Sequence, residues 1–495
     1  MKRFMLASLA LTVTFTTTSF AQQSHYDELA SQPFANGFLS KGAIAALEDE
    51  KTFERAVQAY TWMLPALNMY GMKEGSEKVF GKGYNVLPIW KDRLSAKTRI
   101  TTPNSDVIYA MGFVDLKEDG PLVIEAPPGL QGILDDFFQW PICSVGEIEG
   151  RVWCGDVGLP GPDRGKGGKY LLLPPDYAGT PPAGYFAYRS RTYGVFVFWR
   201  GFFKDPKQLA EPVHVMEQTR IYPLGKEAEA KPMQFPNASA VPANMLYPGD
   251  GTAFGIINRY IQHEYVDPAD MELRGMLAAL GIVKGQPFEP DAHLSALLDK
   301  GAKTAYRINH TIIYSPFKMS GSLFYPDRRW MNVFPGNASF TAPTFAYIDP
   351  RAGYFTVAYS TSPGMAVSMV DVGAKYPATF VDKNGEFLEG ANSYKLILPR
   401  DIPAHLFWSV TVYDPVTGSG LDNGQPFPSI NQMDKPSANA DGSTDIYFGP
   451  NFPGDGKNWL RTVAGQGFFV ILRIYGPTQA FFDKTWVPGD VEKVN

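Results

Sequence analysis

The chain has 495 residues, with 45 Lys and Arg against 50 Asp and Glu and a formal net charge of −5. Hydrophobic residues make up 44%, aromatics 14% and charged residues 19%, a balance too aromatic and too weakly charged for a disordered chain. The acidic excess argues against phosphate-backbone binding, so no nucleic-acid partner is expected, and no later run reaches the roughly 18 apolar residues of a membrane helix.

In chain order, Lys2 and Arg3 precede an apolar, Thr-rich stretch from Phe4 to Phe20, and Ser19-Phe20-Ala21 supplies small residues at the −3 and −1 positions. This is the pattern of a bacterial secretory leader, with cleavage expected after Ala21 and a periplasmic or secreted location. Residues 22–45 read as a polar lead-in. Phe53, Ala56, Val57, Tyr60 and Leu64 recur at helical spacing within 48–72, and Pro65 is expected to kink or end that helix. Strands are expected at Val107–Val114, Leu122–Ala126, Ile133–Trp140, Tyr170–Pro174 and Tyr193–Arg200, separated by Pro and Gly breakers in antiparallel fashion. Helices are expected at Asp205–Arg220, Asp270–Leu280 (stopped by Gly281) and Asp291–His310, with a Pro-rich loop over 222–250 and an irregular aromatic stretch over 322–350. Strands then resume at Tyr354–Tyr359, Tyr394–Pro399, Leu406–Tyr413, Asp445–Phe448 and Gly467–Tyr475. Two β-rich halves flanking a helical block are compatible with an old duplication. Cys143 and Cys154 are eleven positions apart; in an oxidising compartment they form a short disulfide loop, and otherwise two buried thiols.

Thr102-Pro103-Asn104-Ser105-Asp106, Tyr109, Val114-Asp115-Leu116, Gly120-Pro121, Pro127-Pro128, Gly168-Lys169-Tyr170-Leu171, Pro174-Pro175 and Pro182-Ala183-Gly184 follow one another in an order that resembles domain of unknown function 1254. Asp382, Gly385, Leu388-Glu389-Gly390, Asn392, Tyr394, Phe407-Trp408-Ser409, Tyr413-Asp414, Asp441-Gly442-Ser443, Asn458-Trp459-Leu460, Arg473 and Tyr475-Gly476-Pro477 resemble domain of unknown function 1214. Arg461 stands where that second family often has proline. The resemblance covers 45–205 and 355–490. It implies a secreted bacterial protein of two jelly-roll-like β-sandwiches and no established reaction. The expected class is therefore α+β, β-dominated, with two antiparallel sandwich modules joined by a helical block. The boundaries are 1–21 leader, 22–45 lead-in, 46–205 first module, 206–350 connecting block and 351–495 second module.

Candidate sites each have a structural and a functional reading. Asn104 and Asp106, before the strand that carries Tyr109, either close an Asx-turn or aim an amide and a carboxylate at a pocket. Asp135 and Asp136, with Trp140, are either solvated strand residues or carboxylates whose pKa aromatic surroundings raise for general acid work. On a continuous strand Asp136, Phe138 and Trp140 share one face. Trp408, Tyr413, Asp414, Asn458 and Trp459 are either core and turn residues or a sugar-binding platform. Asn439, Asp441 and Asp445 make a weak calcium-loop pattern whose simpler reading is an Asp-Gly turn. No His pair, Cys/His cluster, phosphate loop or dinucleotide fingerprint is present, so no cofactor is expected.

Three functions stay open. One is a metal-independent hydrolase of a polar extracellular substrate such as a glycan, with Asp106 and Asp135 as catalytic candidates. The second is a carbohydrate or small-ligand binding protein without turnover. The third is an envelope structural or interaction protein. Oligomeric state is left undetermined.

Overall fold

The computed structural model describes residues 25–314, 321–334 and 337–494; the expected leader lies outside them. Helix α1, Lys41–Phe80, starts where the Ser40 side chain accepts the Ala43 N–H and stops at Gly81, whose φ of 92° takes the chain out of the helix. It continues past Pro65 rather than ending there. Every residue from Trp62 to Met72 is buried, and that packing outweighs the roughly 3 kcal/mol that an interior proline costs. The other helices are α2 (Ala210–Glu217), which packs on the first module's strands, and α3 (Ala253–His263), α4 (Met271–Ala278), α5 (Ala292–Tyr314) and α6 (Ile348–Val357). Helices α3 to α6 pack on α1 itself. At the α1–α5 crossing, a Cβ on Gly301 would sit 2.6 Å from that of Ala56, so only glycine allows this approach. Helix α6 corrects the expected strand Tyr354–Tyr359. Tyr354, Phe355 and Val357 have strand-like side chains, but they lie in a helix with Pro350 in its first turn, where a missing N–H costs little.

The first module is built from β1 (Ile108–Asp115), β2 (Leu122–Ala126), β3 (Gln131–Asp136), β4 (Asp156–Val157), β5 (Gly168–Leu173), β6 (Phe186–Arg189), β7 (Gly194–Gly201) and β8 (Arg220–Pro223). One sheet has the order β1-β7-β3-β4. The other runs β8-β2-β5-β6 and continues to a two-residue edge strand, Cys143–Ser144. The second module is built from β9 (Ala374–Lys375 with Ala378–Thr379), β10 (Ser393–Leu398), β11 (Ala404–Tyr413), β12 (Ser429–Asn431), β13 (Thr444–Gly449), β14 (Asn458–Arg461), β15 (Phe469–Pro477) and β16 (Glu492–Val494). Its sheets are β9-β15-β11-β12 and β16-β10-β13-β14. Adding eight to each strand number of the first module gives the second, and the pair directions agree throughout, including the parallel pairs β5-β6 and β13-β14. The two modules share one topology.

The parallel pairs correct the all-antiparallel expectation: the loops 174–185 and 450–457 cross over without a helix. Neither module's sheets close on themselves. With 27% helix and 25% strand, the fold is a mixed α/β one rather than β-dominated. Each module buries its own core between its two sheets: Val195, Val197 and Trp199 of β7 meet Ile124 and Leu172, and Val470, Leu472 and Ile474 of β15 meet Leu396 and Ile446. A third core joins α1, α3, α5 and α6 to the opposite faces of β1 and β7 and to Tyr475 of β15. The first sandwich extends to Pro223, and the helical layer wraps both modules. Cys143 and Cys154 are joined in a disulfide.

Candidate functional site

Strand β7 contains Phe196-Val197-Phe198-Trp199-Arg200, and β15 contains Phe469-Val470-Ile471-Leu472-Arg473. Alternation turns Val197 and Trp199 into the first sandwich and Val470 and Leu472 into the second. Phe198 and Arg200, and Ile471 and Arg473, therefore point out of their sandwiches, and they meet in one cavity of about 140 Å³. Tyr109 on β1 lies opposite Arg200. The register on either side of the break in β9 places Tyr376 opposite Arg473. Each module thus delivers a Tyr–Arg pair from the same strand positions. Helix α6 and the chain after it add Tyr354 and Tyr359. Tyr109 stacks obliquely on Phe198 at 4.8 Å, and Tyr475 lies flat on Phe407 at 4.4 Å. A dry engineered cavity of about 150 Å³ takes up benzene, so this space holds a body of that size.

Charge is what sets the cavity apart. Arg200 is 7% exposed and Arg473 3% exposed. Neither has a carboxylate within ion-pair distance among the described residues. Arg473 donates to Thr411 Oγ1 at 3.0 Å and, at 3.4 Å, to the carbonyls of Thr102 and Pro103. Arg200 Nε is buried without a partner. Burial alone lowers a guanidinium pKa. At Arg200 the nearby phenols of Tyr376, Tyr475 and Tyr109 outweigh it, as Tyr413, Tyr475 and Tyr109 do at Arg473, and both groups end above the usual arginine value. Burial pushes the phenols of Tyr109, Tyr354, Tyr359 and Tyr475 well above their ordinary range. They are neutral hydroxyls at ordinary pH, so they favour the guanidinium groups as dipoles only and supply no full counter-charge. Asp156 acts on Arg200 through space only; its own side chain accepts the Gly364 N–H at 2.8 Å, and burial lifts its pKa to about 6. The described wall holds no Asp, Glu, His or Cys.

Residues 84–223 match the family model described as protein of unknown function (DUF1254), and residues 373–479 match protein of unknown function (DUF1214). The chain carries a DUF1254 match followed by a DUF1214 match. Its two family modules are the two sandwiches of matching topology. No curated protein matches the chain. Among solved structures it is similar to the VPA0106 protein from Vibrio parahaemolyticus, with 18% identity and a TM-score of 0.52 over 90% of this chain and all of that one. It is also similar to a putative uncharacterized protein from Burkholderia cenocepacia, with 13% identity and a TM-score of 0.39 over 97% of this chain and 98% of that one. At such identity the first likeness speaks for the fold alone.

Of the sequence candidates, Tyr109 lines the cavity. Asn104 stands behind its wall: Oδ1 accepts the Asp106 N–H in an Asx-turn, while Nδ2 donates to the Tyr475 hydroxyl at 2.7 Å. Tyr413 donates to the Pro103 carbonyl at 2.6 Å and lies under Arg473. Asp106 and Asp135 do not reach the cavity. Asp106, wholly buried, accepts from Arg93 at 2.9 Å, Ser429 at 2.6 Å and Asn431 at 2.7 Å. Asp135 accepts from the Ser360 hydroxyl and the Thr361 N–H, and burial raises its pKa well above the carboxylate range.

Strand β3 stops at Asp136, because its Oδ1 accepts the N–H groups of Phe138 and Trp140 and folds the chain into a turn. The expected shared face of Asp136, Phe138 and Trp140 is therefore corrected, and Trp140 instead stacks under Arg191 at 5.8 Å. Trp408 belongs to the second sandwich core. Asp414 caps a turn through Val416 and Thr417. Asn458 and Trp459 on β14 spend their donors on the backbone carbonyls of Asp445 and Gly449 on β13. At the calcium pattern, Asp441 accepts from the Ser443 N–H and hydroxyl, and Asn439 donates to Asp445. That is an Asp-Gly turn closing on itself.

Arg200 and Arg473 escape a reading that looks for carboxylates. The signal that finds them is the repeated five-residue pattern of β7 and β15, an arginine two positions past an outward-facing Phe or Ile.

Proposed function

We propose that this protein binds a small organic anion, an apolar body carrying a carboxylate or similar group, in the cavity between its modules. The observation that carries the reading is the pair of buried guanidinium groups, Arg200 and Arg473, facing one apolar space with no carboxylate in contact among the described residues. Burying an uncompensated cation costs several kcal/mol, and an anionic ligand offsets that cost by charge-assisted hydrogen bonds from both forks. The neutral Tyr475 hydroxyl, which accepts from Asn104 and keeps its own proton to donate, adds to the donor set. An anion so held has acceptors only, which matches a wall that offers mainly donors.

A glycan fits less well, because its many hydroxyls would lose water against a largely aromatic and aliphatic wall. A hydrolase reading lacks its acid and base, since Asp106 and Asp135 are engaged elsewhere. Binding without turnover is accordingly the function argued for. The expected leader and the Cys143–Cys154 disulfide support a periplasmic or secreted location.

The test is thermal unfolding of residues 22–495 with matched pairs of ligands: benzoate against benzamide, and hexanoate against hexanamide. Carboxylates should raise the melting temperature and their amides should not. Equal shifts within each pair, or none for any acid, would refute the reading. A ligand at a hundred times its dissociation constant adds about 2.7 kcal/mol.

A further inference from the structure

Behind the arginine cavity lies a second cavity of about 260 Å³. The two share a wall of five residues: Asn332, Val333, Phe334, Met365 and Tyr376. Strand β9 runs along that wall. Its register pairs Lys375 with Ile474 and brings Tyr376 opposite Arg473. Successive strand residues face opposite ways, so Lys375 enters the second cavity, while Tyr376 lines both cavities where they adjoin.

Lys375 is 8% exposed. Its Nζ donates to the Ala366 carbonyl at 3.2 Å and to Ser368 Oγ at 3.1 Å, and it meets no carboxylate among the described residues. Phe481 and Phe482 flank it, and Lys484 stands exposed at the rim. The second cavity has no described acid in its lining. Burial pulls the Lys375 pKa down to about 8, which leaves it largely protonated at neutral pH. Three buried cations thus line two adjoining cavities, and none of them has a contacting anion among the described residues.

We propose that the ligand is a small dianion, with one anionic group on Arg200 and Arg473, a second on Lys375, and an apolar spacer lying along Phe334 and Tyr376. This rests on the reading of the arginine cavity as an anion site and adds the class of molecule it takes. A single carboxylate satisfies the arginines and leaves Lys375 unpaired, whereas a dicarboxylate satisfies all three cations at once. The spacer contacts the aromatic wall, which explains an apolar middle between two polar ends.

The experiment is calorimetric titration of residues 22–495 with acids of equal carbon skeleton, adipate against hexanoate and terephthalate against benzoate. The proteins are wild type, Lys375→Gln and Lys375→Arg. In wild type, one dicarboxylate should bind about tenfold or more tightly than its monocarboxylate, the factor expected of one added charge-assisted hydrogen bond. In Lys375→Gln that ratio should fall to near one with monocarboxylate affinity unchanged, and Lys375→Arg should keep it. Monocarboxylates binding as tightly as both dicarboxylates in wild type would overturn the proposal and leave the arginine site standing, and the wild-type pair decides this even where a variant fails to fold. A ratio that survives Lys375→Gln would overturn it too. Wild type that binds no acid of either kind refutes the arginine site, and the dianion falls with it.

Discussion

The two modules have the same strand order and the same pair directions, yet they hold their arginines differently. Arg473 in the second module is tied down by Thr411 and by the carbonyls of Thr102 and Pro103, whereas Arg200 in the first has a buried Nε with no partner. The difference divides the labour within one cavity: Arg473 is fixed as a wall element, and Arg200 is left for what enters. The modules also clasp each other in a crossed fashion. By register, Asp156 on β4 matches Ser429 on β12. Asp156 grips Gly364, just ahead of the second module, and Ser429 grips Asp106, just ahead of the first. A duplicated topology thus builds one site at its junction, and neither half builds it alone.

The largest expected effect comes from breaking one clasp. Asp106→Ala removes the nearer of the two carboxylates beside Arg93, which is 6% exposed and keeps only Asp434 at 3.9 Å, and frees Ser429 and Asn431. Loss of one member of a buried ion pair costs about 3–5 kcal/mol. Urea unfolding should show that drop, and a change below about 1 kcal/mol would mean the modules do not rely on this clasp.

A second asymmetry lies where the strands that carry the arginines begin. In the first module Glu264, at the end of α3, accepts the N–H groups of Tyr193 and Gly194 ahead of β7. Ahead of β15, the Phe468 N–H goes to the Leu388 carbonyl instead. Burial lifts the Glu264 pKa from 4.5 to about 7. A carboxyl raised in the folded state contributes stability that is full below the unfolded pKa and is lost as pH rises through the folded one. Between about pH 4.5 and 7 wild type should lose stability relative to Glu264→Gln, by an amount on the order of 3 kcal/mol. Parallel pH profiles for the two proteins would remove Glu264 from this role.

The arginine contrast itself should appear in stability before any ligand is added. Arg473→Met forfeits the buried hydrogen bond to Thr411 and leaves the Thr102 carbonyl short, a loss of about 1–3 kcal/mol. Arg200→Met deletes a cation with an unpartnered Nε, so the same urea measurement should find it equal to or more stable than wild type. Equal losses for both would erase the distinction between the modules.

Much of this was legible in the sequence. The strands Leu122–Ala126 and Leu406–Tyr413 announce themselves by β-branched and aromatic runs between breakers, and motif order places both family modules. Tyr109 was legible as a site residue because it follows the Asn104–Asp106 turn into a strand. Helix α6 was not, since Tyr354-Phe355-Thr356-Val357 carries strand propensity and only burial against α1 and α5 makes it helical. Asp106 and Asp135 resemble catalytic carboxylates because a sequence shows charge without its partners; the hydroxyls that engage them, Ser429 and Ser360, lie 323 and 225 residues away. The cavity was invisible for the same reason. Arg200 and Arg473 are distant in the chain, and only the matching topology of the two modules brings them to one space.

The most direct measurement is calorimetric titration of wild type and Arg200→Met with whichever carboxylate most raises the melting temperature. The account predicts saturable binding by wild type and its loss, by about a hundredfold or more, in a variant that melts no lower without ligand. Arg200→Met binding the acid as wild type does would contradict it.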